Sequence, residues 1–252
     1  RRFLQILLIR LRRTLQRKIN SMEAKKIYLD YAATTPVDPE VVEVMIQCLG
    51  PDGDYANSSS SHFFGKSAKV RIDTARAQIA ARIGAEVDSI CFTSGATESD
   101  NMALIGTMNA NQHRGRHLIT STLEHKAVLD TANALKDQGF EVTFVDHDEH
   151  GVISTQQLAT AIRNDTVLVS IMHVNNETGV LQDLAVLGEL CRERGVLFHV
   201  DAAQSVGKVP LNVADFSVDL VSLTAHKAYG PMGIGALYIR KGMKIAPMTY
   251  GG

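Results

Sequence analysis

Lys227 lies in Leu223-Thr224-Ala225-His226-Lys227-Ala228-Tyr229-Gly230-Pro231, where an apolar run gives way to a Gly-Pro turn. Asp201 ends a second apolar run, Val196-Leu197-Phe198-His199-Val200-Asp201. A lysine amine delivered from a buried strand can condense with an aldehyde to form a Schiff base. A carboxylate near the same place can keep a pyridine nitrogen protonated, so that the ring withdraws electrons from a bound amino acid. Together they are what pyridoxal phosphate chemistry needs. An unpaired buried carboxylate is costly, so Asp201 requires a cation: a lysine or arginine would serve, and a pyridinium is the more specific partner.

Other residues of the right types recur at the ends of apolar runs. Ser94-Gly95-Ala96-Thr97-Glu98-Ser99 joins an expected strand to an expected helix. Its first-turn N–H groups and the Thr97 hydroxyl suit a phosphate, with the helix dipole favouring the anion. The same segment reads equally as an ordinary helix cap with Glu98 in the first turn. It has neither the lysine of a Walker loop nor a GxGxxG pattern, which argues against nucleoside triphosphates and dinucleotides. His125 follows a strand and opens a helix, a place from which an imidazole can stack on a ring and move protons, or simply be structural. His173, His199 and His226 raise a metal alternative, with His199 and Asp201 on one face of a strand. No third ligand stands at suitable spacing, and a buried strand histidine can equally be a satisfied core group, so no metal site is predicted.

The elements that must position these residues follow from the hydrophobic pattern. Short apolar runs alternate with helical periods from Ile90 onward, the signature of βαβ units. Strands are expected over 89–93, 117–120, 141–146, 167–173, 196–201 and 220–224. Helices are expected near 97–109, 126–138, 155–163 and 183–194, the last closed by Gly195, with a long helical pattern over 67–83 before the sheet. The fold class is therefore α/β, a mostly parallel central sheet with flanking helices. Gly95, Ala96 and Thr97, Glu124 and His125, Asn175 and Asn176, Asp201 and Gln204, and His226 and Lys227 then gather at the carboxyl ends of the strands, where open α/β sheets bind ligands.

The 252 residues, 45% of them hydrophobic, suffice for a substantial core. A net charge of −1 gives no electrostatic reason to expect nucleic acid. Cys48, Cys91 and Cys191 are far apart and form no CxxC pair, which points to reduced thiols in a cytoplasmic setting. Residues 1–22 differ: Arg1, Arg2, Arg10, Arg12, Arg13, Arg17 and Lys18 surround a short apolar stretch, and the first acid is Glu23. This segment reads as a non-native extension or as an Arg-rich targeting leader. Its apolar part is too short to span a bilayer. Residues 23–252 form the domain proper.

Six motifs in order carry a family resemblance. They are Tyr28-Leu29-Asp30-Tyr31-Ala32-Ala33-Thr34-Thr35-Pro36, Thr93-Ser94-Gly95-Ala96-Thr97-Glu98-Ser99-Asp100-Asn101 and Glu124-His125-Lys126-Ala127-Val128, followed by His173-Val174-Asn175-Asn176-Glu177-Thr178-Gly179, His199-Val200-Asp201-Ala202-Ala203-Gln204-Ser205 and Ala225-His226-Lys227-Ala228-Tyr229-Gly230-Pro231. The chain resembles the class V aminotransferases and, within them, the cysteine desulfurases of the NifS and IscS type. The resemblance implies the fold type I large domain of pyridoxal 5'-phosphate enzymes. It implies Lys227 as the Schiff-base lysine and His125 as the ring-stacking, proton-moving group, these two being the catalytic residues. It further implies Asp201 at the pyridine nitrogen, Gln204 at the phenolic oxygen, and Asn176 beside the cofactor and the substrate carboxylate. Ala96, Thr97, Thr224, Ala225 and His226 would complete the cofactor site around the phosphate. Thr224 stands where close relatives have serine, and Ala225 where a glycine is common.

The implied activity converts L-cysteine to L-alanine, with sulfur passing to an enzyme cysteine as a persulfide and on to sulfur-acceptor or iron–sulfur scaffold proteins, in a homodimer. The family polypeptide continues beyond Gly252 into a small domain bearing the nucleophilic cysteine and a carboxylate-clamping arginine. The expectation is a partial chain with the cofactor half of the machinery and little turnover by itself. Cys48, Cys91 and Cys191 lie in the wrong contexts to replace that nucleophile. Two further readings stand beside it: a related lyase acting on selenocysteine or another amino acid, and a non-catalytic scaffold that keeps the fold.

Overall fold

A computed structural model describes residues 26–251. The basic segment 1–22 lies outside the described residues. Two compact units are distinguished, 1–31 and 32–252. In the first, the described residues include Tyr28, whose hydroxyl donates to the Asp30 carbonyl at 2.8 Å. The second holds every helix and strand described below.

Its elements, in chain order, are α1 (Pro39–Cys48), α2 (Phe63–Arg82), β1 (Ile90–Thr93), α3 (Ala96–Ala110), β2 (His117–Ser121), α4 (Lys126–Asp137), β3 (Glu141–Val145), α5 (Thr155–Ala161), β4 (Thr166–Ser170), α6 (Leu184–Glu193), β5 (Leu197–Asp201), β6 (Leu220–Thr224) and β7 (Gly235–Ile239). The strands form one sheet in the order β1-β7-β6-β5-β4-β2-β3. β2 with β3, β2 with β4, β4 with β5, and β5 with β6 pair in parallel, whereas β7 runs antiparallel to both β1 and β6. The mostly parallel α/β sheet is as expected, with β7 added. That strand is short and follows Gly-Pro-Met-Gly, so its apolar run offers little periodicity to read.

Adjacent residues of the strands pack into opposite layers. Leu118, Leu168, Leu220 and Leu237 meet Leu104 and Met108 of α3 and Val128 and Leu135 of α4. Ile119, Val169, Val221 and Ala236 meet Leu158 of α5 and Leu184 and Leu187 of α6 on the other face. A sheet covered on both faces needs strands that are apolar at successive positions, which is why these runs do not alternate cleanly with polar residues.

Most boundaries fall within one residue of expectation, and three differ by more. The long helix expected over 67–83 begins earlier, at Phe63, with His62 as its N-cap. The strand expected over 167–173 ends as β4 at Ser170, although His173 N still donates to the Asp201 carbonyl at 2.9 Å. The other edge is lost because Met172 N donates to Glu124 Oε1 at 2.8 Å rather than to a strand carbonyl. The helix expected over 155–163 ends at Ala161, since Arg163 turns to Glu141 at 2.6 Å and Asp165 at 2.7 Å. Among the described residues no helix is long and apolar enough to cross a membrane.

Candidate active site at the carboxyl edge of the sheet

Because β1, β2, β4, β5 and β6 all run the same way, Thr93, Ser121, Ser170, Asp201 and Thr224 end at one edge of the sheet. The loop after β1 reaches that edge through a close backbone approach. A Cβ on Gly235, the first residue of β7, would lie 2.6 Å from Gly95 Cα and 2.5 Å from the Leu223 carbonyl oxygen. Only glycine there lets the start of α3 sit against β6 and β7. Gly95 precedes α3 and supplies no side-chain cap, while Glu98 reaches back to Ser94 N at 2.5 Å. Thr97 is exposed, and the Thr224 hydroxyl beside this turn is buried without a hydrogen-bond partner among the described residues. Buried hydroxyls ordinarily find a partner. A first helical turn and an unsatisfied hydroxyl thus face one another at the end of the sheet.

The turn after β6 is held by a different part of the chain. Thr35 N and the hydroxyls of Thr34 and Thr35 donate to the His226 carbonyl, at 2.8, 3.2 and 3.0 Å. His226 Nδ1 lies 3.1 Å from the Thr34 hydroxyl, and burial together with the charges of Lys227 and Lys208 lowers its pKa. Tyr229 adopts φ 60, a conformation unusual for a residue with a Cβ, and its N–H donates to the Thr35 hydroxyl at 2.8 Å. Ala225 fits the turn because Gly230 lies opposite it: a Cβ on Gly230 would come within 2.6 Å of the Ala225 Cβ. The alanine in place of a glycine is therefore accommodated across the turn. Lys227 is half-buried and makes no hydrogen bond or ion pair among the described residues.

Asp201 is buried, with Oδ1 accepting from Ala203 N at 2.8 Å. Burial raises its pKa, while the Ala203 N–H, Lys227 and His125 oppose the rise. Lys227 and His125 thus act on the same carboxylate from the turns after β6 and β2. His125 is exposed and caps α4 through Nδ1, which accepts from Ala127 N at 3.1 Å and so leaves Nε2 as the N–H. The cap and a ring-stacking role are compatible, because they use different parts of the imidazole. His125 and Thr97 also line one cleft of about 410 Å³.

Gln204 and Asn176 are placed less simply. Gln204 is buried; its Nε2 donates to the Ala32 carbonyl at 2.7 Å and its Oε1 accepts from Lys208 Nζ at 2.7 Å. Asn176 is half-buried and donates to Glu177 Oε1 at 2.8 Å. Its neighbour Asn175 ties the local turn, donating to the Leu123 carbonyl at 3.0 Å and accepting from Glu177 N and Thr178 N. His199 is a satisfied core histidine: Nδ1 lies 2.8 Å from Ser170 Oγ and Nε2 2.9 Å from Ser222 Oγ. Its burial lowers the pKa to about 3.

Sequence reasoning set Glu124 among the polar residues at the strand ends and Asp100 within a motif, but gave neither acid a role. Glu124 accepts from the Ser121 hydroxyl at 2.7 Å and from Met172 N through Oε1, leaves Oε2 unpartnered, and is pushed up to about 8 by burial. Asp100, inside α3, has no exposed surface. An acid inside a helix whose neighbours three and four positions on are the buried Ala103 and Leu104 was the available signal.

The sequence profile of the family described as Aminotransferase class-V matches residues 27–252. The chain belongs to this family. Its enzymes use pyridoxal phosphate, and the fold is their type I fold. The chain is 58% identical over 220 residues to the cysteine desulfurase IscS of Proteus mirabilis, covering 87% of this chain and 54% of that protein. It is 57% identical, with the same coverages, to the cysteine desulfurase IscS of Vibrio cholerae. The chain thus spans about half the length of these relatives. Among solved structures it superimposes with a TM-score of 0.87 on SspA in complex with cysteine, at 42% identity over 90% of this chain and 65% of that one. It superimposes equally well on a NifS-like protein, at 40% identity over 90% of this chain and 62% of that one.

Proposed function

We propose that this chain binds pyridoxal 5'-phosphate through Lys227 and is the cofactor-holding part of a cysteine desulfurase. The observation that carries this reading is the convergence on Asp201 of Lys227, an amine with no partner among the described residues, beside the unsatisfied Thr224 hydroxyl and the open first turn of α3. The residues fit the group. The N–H groups of Ala96 and Thr97, the hydroxyls of Thr97 and Thr224, and the His226 ring are donors suited to its phosphate, with Ala225 shaping the turn. When bound, pyridoxal phosphate supplies an electron sink that loosens bonds at the α-carbon of an amino acid.

The chain's own residues supply the rest. Asp201, as a buried anion, holds a proton at the ring nitrogen. Lys227 would hold the cofactor through its amine. His125 offers a ring face for stacking and, at Nε2, a site for proton movement. Gln204 retains one amide N–H beyond its bond to Ala32, available to the phenolic oxygen. Asn176, whose amide donates to Glu177 Oε1, would lie beside the cofactor and the substrate carboxylate in this reading.

The substrate in this reading is L-cysteine, converted to L-alanine as its sulfur passes to a protein thiol to give a persulfide. None of the three cysteines of this chain takes that role: burial pushes the Cys191 thiol up to about 12 and raises that of Cys91, and Cys48 closes α1 outside the motif segments. A homodimer, sulfur-acceptor or iron–sulfur scaffold proteins as partners, and a cytoplasmic setting belong to the same reading. The chain incubated with pyridoxal phosphate should gain a visible absorbance band that is retained on gel filtration and lost in Lys227→Ala. Identical spectra for the two proteins would reject it.

A further inference from the structure

A row of polar side chains crosses the sheet just below the candidate site, on the face covered by α3 and α4. It consists of Thr120, Ser170, His199 and Ser222, one on each of β2, β4, β5 and β6, and each is fully buried. The Thr120 hydroxyl donates to the Ser170 carbonyl at 2.9 Å, and His199 bridges Ser170 and Ser222. Asp100 projects from α3 onto this row. Its Oδ1 lies 3.6 Å from His199 Nε2, and neither of its oxygens has a hydrogen-bond partner among the described residues. His199 and Asp201 are two apart on β5 and so face the same side, which puts Asp100 behind Asp201.

The two acids are treated differently by their surroundings. Asp201 accepts a backbone N–H and is favoured in its charged form by both Lys227 and His125. Asp100 accepts no backbone N–H and has only the Ser222 hydroxyl beside it, and a buried carboxylate so sparsely supported is far costlier than the neutral acid. The ionisable groups facing it are Asp201 and His199 on β5, Glu124 after β2 and Lys227 after β6, with the Ser222 hydroxyl on β6. The two acids oppose its ionisation; Lys227 and Ser222 favour it but are outweighed by burial. His199, bonded to serines at both nitrogens and neutral, brings no positive charge.

We propose that Asp100, buried from α3 against the Ser170–His199–Ser222 row, keeps its proton at neutral pH and thereby leaves Asp201 as the anion of this buried pair. Asp100 is a positioning residue acting through Asp201, since two adjacent buried carboxylates cannot both ionise cheaply. The consequence for the ring nitrogen rests on the cofactor reading above, whereas the proton on Asp100 does not.

The test uses carbon-13 carboxyl NMR of the full chain without cofactor, with the Asp100 resonance identified by its loss in Asp100→Asn. If that variant does not fold, selective displacement of the same resonance in Ser222→Ala identifies it. The resonance is expected at the protonated position at pH 7, and one at the ionised position overturns the proposal. A second readout is the affinity for pyridoxal phosphate followed by absorbance. Asp100→Asn, a neutral isostere, should bind within about threefold of wild type, and a loss beyond about tenfold would show that a charge on Asp100 is used. A wild-type chain that takes up no cofactor refutes the proposed function, while the carboxyl spectrum still decides the state of Asp100.

Discussion

Replacing Glu124 by glutamine isolates the cost of keeping an acid buried at the edge of the sheet. Glutamine preserves the acceptor used by the Ser121 hydroxyl and Met172 N and removes only the ability to ionise. The carboxyl is raised from 4.5 to about 8 in the folded protein. A raised acid contributes stability that is complete below the unfolded pKa, and the contribution is lost as pH rises through the folded one. The window for Glu124 therefore runs from about pH 4.5 to about pH 8. His199 works oppositely: lowered from 6.5 to about 3, it costs stability as pH falls through that range, so above pH 6.5 it contributes no slope. Over the remaining 1.5 pH units, at about 1.36 kcal/mol per unit, wild type should lose about 2 kcal/mol relative to Glu124→Gln.

For a chain of this size that corresponds to a change of roughly 4–8 °C in the difference between the two unfolding midpoints. Circular dichroism melts of both proteins at pH 6.5 and pH 8 measure it directly. The slope from His199 is common to both proteins and cancels in the difference, and that from Asp100 differs only through the Glu124 charge. A difference that stays constant across the interval would show that Glu124 is ionised throughout, and the argument from its burial and unpartnered Oε2 would fail.

Two further outcomes follow from packing and from the unsatisfied hydroxyl. Gly235→Ala forces a Cβ into the Gly95 and Leu223 backbones and should destabilise the chain by about 2 kcal/mol or more, with weakened cofactor uptake, as measured by urea denaturation and absorbance. Thr224→Val keeps the shape but removes the hydroxyl. It should weaken pyridoxal phosphate binding by roughly tenfold while leaving the apoprotein at least as stable, and Thr224→Ser should restore the affinity. Unchanged affinity in the valine variant would remove Thr224 from the phosphate site.

Much of the architecture was legible in the sequence because buried parallel strands need continuous apolar runs, and these stand between helical periods with polar residues at their ends. The placement of Asp201 and Lys227 at the carboxyl edge was legible for the same reason: each is a charged residue at or just beyond such a run. The antiparallel β7 was not legible, since its direction is set by pairing with β1 and β6 rather than by its five residues. The early end of β4 was also hidden, because a carboxylate from the turn after β2 takes the Met172 N–H.

The sequence by itself determined which residue types were available for Schiff-base chemistry and the strand ends on which they stand, because periodicity and desolvation act locally along the chain. Only the tertiary structure decided which groups share an electrostatic environment. Asp100 and Glu124 look unremarkable in the sequence and lie far along the chain from His199 and Asp201. Folding excludes water from all four, and in that low-dielectric interior the protonation of the three acids depends on one another and on Lys227.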